Sequence, residues 1–194
     1  MYKFVINKLK FAEKVVLKDI QVELDKGETL CILGPSGCGK TTLLNVMAGI
    51  NQTSDFSGSG WQGQTPDIAY LFQEPRLLPW RTVLQNLCLI EPNTKKVFKL
   101  LHKVGLDQYA DYYPAALSLG MERRVALVRC LLLSPEIVLM DEALASLDES
   151  TAAEMRKLIK QLICDHPGKS LIYVTHDKRD AQELADQIMI LNGH

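Results

Sequence analysis

A glycine-rich stretch between an apolar strand and a helix constrains this chain more than any other feature. Residues 34–41 read Gly-Pro-Ser-Gly-Cys-Gly-Lys-Thr and match the pattern G-x-x-x-x-G-K-[S/T]. A strand is predicted at Thr29–Leu33, and apolar residues at helical spacing run from Thr41 to Ile50. Glycines let backbone N–H groups surround phosphate oxygens, and the helix N-terminus adds the positive end of its dipole. The stretch therefore predicts a phosphate-binding loop in an α/β fold.

The motif gives individual residues a chemical role. The ammonium of Lys40 is expected to reach the β- and γ-phosphates of a nucleotide, and the hydroxyl of Thr41 to bind Mg²⁺. A plain glycine turn is the alternative, but a chance match in a chain of this size has a probability on the order of one in a hundred. Cys38 is either a redox-sensitive thiol near a helix N-terminus or, more simply, a small residue that fills the loop. The candidate nucleotide-binding residues are Gly34, Pro35, Ser36, Gly37, Cys38, Gly39, Lys40, Thr41 and Thr42.

Two acidic residues end a second apolar strand, Ile137–Met140. Asp141 at the strand tip is expected to lie beside Mg²⁺, which is the usual second half of a phosphate-loop site. Glu142, one residue further on, could orient and deprotonate an attacking water. A pair of solvated acids is the weaker alternative once the phosphate-binding loop is present. A third strand, 171–175, ends at His176, at the sheet edge where ligands bind in open α/β folds.

Length and charge narrow the class of protein. The 194 residues include 22 basic and 23 acidic side chains, so the net charge is −1. This balance argues against nucleic acid as a partner, because binding it needs a basic surface. The apolar runs are shorter than the roughly 18–20 residues that span a bilayer, and the N-terminus lacks a signal-peptide pattern, which predicts a soluble intracellular chain. Five dispersed cysteines without a C-x-x-C pair favour reduced thiols over a disulfide framework or a zinc site.

The order of predicted elements favours an α/β fold: β-strands at the N-terminus and a parallel α/β core that is interrupted by an inserted α-helical subdomain. Residues 55–60 are predicted as a loop, and Asp148 is expected to cap an amphipathic helix. The predicted bounds are 1–194 for a single domain, 1–74 and 134–194 for its α/β core, and 75–133 for the helical subdomain.

With these parts in this order, the sequence resembles the ATP-binding subunit of an ABC transporter over essentially its whole length. Six motifs carry the resemblance, and they follow one another as they do in that family. Besides the phosphate-binding loop and the strand that ends in Asp141 and Glu142, they are Gln73 in the Q-loop, Leu117–Met121 in the signature, Ala145–Asp148 in the D-loop and Thr175–Asp177 with the switch histidine. Phe11 stands where the family keeps an aromatic residue that stacks on adenine.

The resemblance implies a P-loop NTPase (RecA-like) core with N-terminal antiparallel β-strands and an inserted α-helical subdomain. It also implies a head-to-tail dimer that holds two ATP molecules at its interface. Gln73 would sense Mg²⁺ and the attacking water, His176 would contact the γ-phosphate, and Asp148 would link the two sites. Each site would take Lys40, Thr41, Gln73, Asp141, Glu142 and His176 from one chain and Ser118, with Gly120 beside it, from the other. The implied catalytic residues are Glu142, His176, Gln73 and Lys40, and the implied Mg²⁺ ligands are Thr41, Gln73 and Asp141.

The resemblance also implies partners. ATP would close the dimer and hydrolysis would open it, which would drive separate transmembrane permease subunits. A second ATP-binding subunit, expected to be another copy of this chain, and indirectly a solute-binding protein complete the assembly on the cytoplasmic face of the membrane. The run 72–86 is most similar to the importer branch that serves nitrate, sulfonate, taurine and thiamine-precursor uptake. The alternative is that Leu77, Leu78 and Trp80 in this run are simply core residues of the helical subdomain.

Three features depart from the family pattern. Leu119 stands where the signature has glycine, and Ala143 stands where proline commonly follows the catalytic glutamate. The chain ends soon after a predicted strand, 188–191, and a predicted turn at Asn192–Gly193, which is earlier than family members usually end. Leu119 and the early chain end favour an ATP-binding subunit that hydrolyses weakly, whereas the intact site residues favour an active transport ATPase. A DNA-repair or chromosome-organising ATPase is a further alternative, disfavoured by the short distance from Gln73 to Leu117.

Overall fold

The computed structural model of the protein describes residues 1–11, 14–50 and 56–192, without the side chains of Phe11 and Lys14. Two predictions lie outside the described residues. They are the stacking of the Phe11 ring on adenine and the turn at Asn192–Gly193. In the part of the chain that is described, no helix is long and apolar enough to cross a membrane.

An antiparallel sheet forms the N-terminal part. Strand β1 (Tyr2–Phe11) pairs with β2 (Lys14–Leu24), with Tyr2 opposite Leu24. Two short strands, β4 (Phe56–Ser57) and β5 (Gly60–Trp61), pair with the other edge of β1. The prediction of a loop over residues 55–60 was therefore wrong at these positions. The free edge of β1 has backbone N–H and C=O groups that need hydrogen-bond partners, and the two short strands supply them. This pairing depends on β1 and cannot be recognised from the local sequence of residues 55–60.

A second sheet of five parallel strands lies at the centre of the fold. Its order is β6–β7–β8–β3–β9. The strands are β3 (Thr29–Leu33), β6 (Ile68–Leu71), β7 (Ile137–Asp141), β8 (Ser170–Thr175) and β9 (Gln187–Ile190). Strands β7 and β8 are buried along their whole length, as expected for continuous apolar runs in a parallel sheet. The predicted parallel α/β core is confirmed.

Helices follow most of the parallel strands. Helix α1 ends before the predicted Ile50, because Gly49 adopts a left-handed backbone with φ of 69° and its N–H donates to the Val46 carbonyl. Thr82, Asn93, Ser118 and Asp148 each cap a helix through their side chains. The helices are α1 (Lys40–Met47), α2 (Val83–Cys88), α3 (Thr94–Lys103), α4 (Leu119–Leu132), α5 (Glu149–Ile159) and α6 (Lys178–Leu184). Helices α2, α3 and α4 fall within the predicted helical subdomain, whose bounds stay a prediction.

The parallel sheet separates two apolar cores. Alternate residues of β7 face opposite sides, so Val138 belongs to the core that includes residues of α2 to α6, whereas Leu139 belongs to the core that includes α1 and the antiparallel sheet. In β8, Tyr173 belongs to the same core as Val138, and Ile172 belongs to the same core as Leu139. Burial on both faces fixes the register of these strands, since a shift by one residue would exchange the two faces.

A buried ion pair joins α5 to α6 beside the end of β8. Arg156 Nη1 lies 3.1 Å from Asp180 Oδ1, and each side chain is 4% exposed. The other oxygen of Asp180 accepts hydrogen bonds from the hydroxyls of Tyr173 (2.8 Å) and Thr175 (3.1 Å). Thr175 immediately precedes His176, so this network supports the backbone that carries the histidine. Arg156 also contacts Glu183 on its exposed side, at 3.0 Å.

We expect Asp180→Ala to lower the free energy of unfolding by about 3 kcal/mol, because it leaves the buried guanidinium and two buried hydroxyls without this acceptor. Urea denaturation followed by circular dichroism measures the change. Glu183→Gln is the matched control. It removes an exposed partner of the same arginine and should cost less than about 1 kcal/mol. Equal losses in the two variants would contradict the importance assigned to the buried pair.

Candidate functional site

The carboxyl ends of four parallel strands meet at one edge of the central sheet, where α/β folds bind ligands. The phosphate-binding loop follows β3, Gln73 follows β6, Glu142 follows β7, and His176 follows β8. A cavity of about 330 Å³ lies there. Its lining residues are Val16, Ser36, Gly37, Gly39, Lys40, Thr41, Thr42, Gln73 and Glu142. The fold therefore brings the predicted loop, the Q-loop residue and the predicted base to one cavity.

The loop geometry depends on glycine. Gly37 and Gly39 have φ of 79° and 103°, in the left-handed region that favours glycine, and Gly39 caps α1. Gly34 is restricted for another reason. A Cβ atom there would lie 2.5 Å from the Leu191 carbonyl oxygen and 2.6 Å from Cys38 Sγ. The buried Cys38 thus packs under the loop, which favours the simpler interpretation of this residue as a small side chain that fills space.

Lys40 is buried at the base of the loop, with 4% of its surface exposed. Its Nζ donates hydrogen bonds to the carbonyl oxygens of Gly34 (2.9 Å) and Pro35 (3.0 Å). It also lies 3.4 Å from Glu142 Oε1. A buried ammonium needs such partners to offset its lost hydration. Phosphate oxygens could take their place.

Asp141 is held at both of its carboxylate oxygens. The Thr41 hydroxyl donates to Oδ1 (3.1 Å), and the Tyr70 hydroxyl donates to Oδ2 (3.2 Å). Burial raises the pKa of Asp141, against the lowering effect of these two hydrogen bonds. Burial and the neighbouring Asp141 carboxylate also raise the pKa of Tyr70, so the phenol keeps its proton and acts as a donor.

The oxygens of Thr41 and Asp141 fit a magnesium ion. Mg²⁺ prefers hard oxygen ligands and is usually held by one or two carboxylates together with substrate phosphates. Within residues 1–11, 14–50 and 56–192, no group of three or more His, Cys, Asp or Glu side chains is placed to hold a metal ion. One hydroxyl and one carboxylate suit a metal whose other ligands include phosphate oxygens.

Glu142 lies between two cationic or protonatable groups. Its Oε1 faces Lys40, and its Oε2 lies 3.3 Å from His176 Nδ1. The Glu142 backbone has φ of 42°, which is rare for a residue with a side chain, and its N–H donates to the Val174 carbonyl at 3.0 Å. This sharp turn after β7 points the carboxylate at the edge of the sheet. Such backbone strain is common where a side chain must be placed for function.

The signature and D-loop residues lie elsewhere. Ser118, Gly120 and Asp148 are not among the residues that line the cavity. Ser118 caps α4 and Asp148 caps α5, and both are exposed. The two helix starts are neighbours, since a Cβ on Gly120 would lie 2.5 Å from Thr151 Cγ2. Hydrogen bonds from Ser150 and Thr151 keep the pKa of Asp148 low, so this exposed helix start carries a negative charge.

Two site residues were missed by the sequence reasoning. Val16 lines the cavity from β2, and the alternation of that strand gave no indication of it. Tyr70 stands opposite Leu139 in the pairing of β6 with β7, so it shares a sheet face with Asp141, two residues further along. The position of Tyr70 close to Gln73 in the sequence was a usable signal. Its contact with Asp141, however, depends on the register of β6 against β7, which was not known from the sequence.

We expect Gly34→Ala to lower both the melting temperature and the affinity for ATP, because the added methyl group would press on the Leu191 backbone. Overpacking of this kind costs about 1–3 kcal/mol, or a Tm decrease of roughly 5 °C for a chain of this size. Differential scanning fluorimetry measures it. Gly168→Ala is the control, since Gly168, like Gly34, has no left-handed backbone, and a Cβ added there would meet only the His166 ring at 3.8 Å. A smaller decrease is expected there, and equal decreases would mean that the contact with the Leu191 backbone does not explain the effect.

Comparison with known proteins identifies the family. Residues 17–145 match the family model described as ABC transporter. The aliphatic sulfonates import ATP-binding protein SsuB 2 of Pseudomonas syringae pv. tomato is 42% identical over 193 residues, which cover 97% of this chain and 81% of that protein. A dimeric structure of the ATP-binding cassette MJ0796 in a post-hydrolysis state with ADP and Pi has a TM-score of 0.82 at 27% identity, covering 98% of this chain and 94% of that one.

A second dimeric structure of MJ0796, described as a bacterial ABC transporter cassette, also has a TM-score of 0.82, at 28% identity, and covers 99% of this chain and 94% of that one. These matches confirm the predicted P-loop fold, ATP binding and ATPase activity. The chain belongs to the ABC transporter family, as one of its ATP-binding and ATP-hydrolysing subunits.

Proposed function

We propose that this chain hydrolyses Mg-ATP to drive a solute importer, with aliphatic sulfonates as the first solutes to test. The observation that carries the proposal is the position of the Glu142 carboxylate, between Lys40 and His176 at the mouth of the phosphate-binding loop. The sulfonate-import relative supports the choice of solute. It belongs to the branch that the run 72–86 predicts.

The chain's own residues suggest how the reaction proceeds. Lys40 exchanges its carbonyl partners and Glu142 for the phosphate oxygens of ATP. This exchange frees the Glu142 carboxylate to orient a water and accept its proton. His176 hydrogen-bonds the γ-phosphate and keeps Glu142 in place. Gln73, which lines the same cavity, contacts the water or the metal.

Thr41 and Asp141, whose oxygens meet beside the loop, would hold Mg²⁺ together with Gln73, which lines the same cavity as Thr41. When bound, the ion neutralises the charge that develops on the phosphates. The buried Asp141 carboxylate gains a counter-charge in this arrangement, which removes part of the cost of its burial.

The second half of each site comes from a partner subunit. Ser118 and Gly120 at the start of α4, and Asp148 at the start of α5, would reach the ATP that is held by the other chain. The exposure of Ser118 and Asp148 outside the cavity supports this arrangement, and so do the dimeric structures of the similar cassette MJ0796. A homodimer is the simplest assembly of this kind.

The helical segment would contact the transmembrane permease subunits at the cytoplasmic face of the membrane, and a solute-binding protein would act through them. Exposed apolar side chains support a docking surface there: Trp80 is 69% exposed, Leu89 53% and Phe98 40%. The alternative that Trp80 is a core residue of this segment was wrong, whereas Leu77 does pack against the core.

A second function, ATP binding with weak hydrolysis, is favoured by one observation. Leu119, at the first position of α4, is 40% exposed beside Ser118. Because glycine stands at this position in the family, the leucine side chain would meet the partner's phosphate-binding loop. It would make the closed dimer less stable, although Ser118 and Gly120 are retained.

We expect Glu142→Gln to lower ATP hydrolysis by at least about 100-fold, because the amide cannot accept the proton of water. The variant should form a dimer with Mg-ATP and remain a monomer without it. Size-exclusion chromatography with light scattering checks the oligomeric state, and a phosphate-release assay checks the rate. A variant that binds ATP yet stays monomeric would contradict the active ATPase and support the weakly hydrolysing subunit.

We expect Leu119→Gly to strengthen ATP-dependent dimerisation of the Glu142→Gln chain by roughly tenfold, since removing an apolar side chain from the interface relieves a contact worth about 1–2 kcal/mol. Sedimentation equilibrium with Mg-ATP measures the dissociation constant. Leu133→Gly is the control, because Leu133 is an exposed leucine at the other end of the same helix. An unchanged dissociation constant in Leu119→Gly would show that the leucine is tolerated.

A further inference from the structure

We propose that Tyr70 is a positioning residue for the Mg²⁺ site: its hydroxyl sets the orientation of the Asp141 carboxylate, and an aromatic stack ties it to the Q-loop segment and to α4. The inference rests on the proposed function, because it assigns Asp141 to the metal.

The hydrogen bonds on Asp141 come from two different elements. Thr41 lies on α1, whereas Tyr70 lies on β6, and each binds a different oxygen of the carboxylate. Rotation of the carboxylate about its terminal torsion would break both bonds. When the Thr41 hydroxyl turns to a metal ion, the Tyr70 hydroxyl is, among the described residues, the side-chain donor that still holds the carboxylate in place. Groups that hydrogen-bond a metal-ligating carboxylate in this way tune metal affinity.

The Tyr70 ring is itself held by a stack of side chains. It lies on Phe72 with ring centroids 4.1 Å apart and an interplanar angle of 28°. The guanidinium of Arg76 covers Phe72, with Cζ 3.8 Å from the ring centroid. Cation–π and stacking contacts of this kind contribute to order where the side chains are partly buried. Gln73 lies in the chain between Phe72 and Arg76, so the stack joins residues on both sides of the Q-loop residue.

The same segment is tied to α4. Arg129 on α4 donates hydrogen bonds from Nη1 to the Arg76 carbonyl and from Nη2 to the Pro75 carbonyl, both 2.7 Å long. Helix α4 begins at the signature residues. A continuous set of contacts therefore runs from α4 through the Q-loop segment and the aromatic stack to the carboxylate at the metal site. A shift of α4, such as dimer closure or permease contact would cause, would move the phenol relative to Asp141.

The test compares ATP binding with and without magnesium in the full-length Glu142→Gln chain, which keeps ATP from being consumed. Isothermal titration calorimetry gives the dissociation constant of ATP in Mg²⁺ and in EDTA, and the ratio of the two is the magnesium gain. Tyr70→Phe keeps the ring and its stacking but removes the hydroxyl. We expect the magnesium gain to fall about tenfold, with ATP affinity in EDTA unchanged.

An unchanged magnesium gain in Tyr70→Phe would overturn the inference while leaving the proposed function intact. Failure of the parent chain to bind ATP, or to gain affinity from Mg²⁺, would instead overturn the proposed function. Tyr109→Phe is the control, because its ring packs against Tyr112 in the helical segment and it should leave the gain unchanged. A comparable fall in the control would also overturn the inference. Melting temperatures without ATP show that each variant is folded.

A double-mutant cycle tests the stack. Phe72→Leu keeps the Tyr70 hydroxyl but removes the ring on which the phenol lies, and it should lower the magnesium gain by roughly threefold. If Phe72 acts through Tyr70, the double variant should lose no more than Tyr70→Phe alone. Additive losses would overturn the role of the stack, because each residue would then act independently.

Discussion

The register of the five-stranded parallel sheet is the constraint on which the rest of the structure depends. Leu33 is paired with Thr175, and Asp141 with Val174, so the strands that carry the loop, the acids and the histidine end at the same height. Apolar cores on both faces of the sheet prevent a one-residue shift, since it would turn core side chains to the wrong side. The geometry of the site thus follows from the packing of residues that never touch nucleotide.

The charged side chains of the site have compensating partners within the chain. The Lys40 ammonium is held by two loop carbonyls and Glu142, and Glu142 is shared with His176. Asp141 has two hydroxyl donors instead of a cation. An isolated buried charge would be costly, so these contacts let the site exist in a stable fold. They are also the contacts that ATP and its metal ion would replace, which links nucleotide binding to a change in the partners of Glu142.

Much of the site was predictable because its parts are local in sequence. The phosphate-binding loop, the acids after Ile137–Met140 and the histidine after the next strand each follow an apolar run, and parallel strands bring such ends together. Helix caps at Ser118 and Asp148 are likewise local signals. The short strands on the edge of β1 were missed, because their pairing depends on a strand some fifty residues away rather than on their own composition.

Contacts between distant segments were decided by the tertiary structure alone. The Tyr70–Asp141 hydrogen bond requires the register of β6 against β7, and the Arg156–Asp180 pair requires the approach of α5 and α6. The sequence by itself determined which residue types stand at the positions proposed to bind phosphate, metal and water, because the motifs that carry these residues have a fixed local spacing. Only the tertiary structure decided what holds these residues in place, because strand register and helix packing are set by the summed burial of the two cores rather than by any short motif.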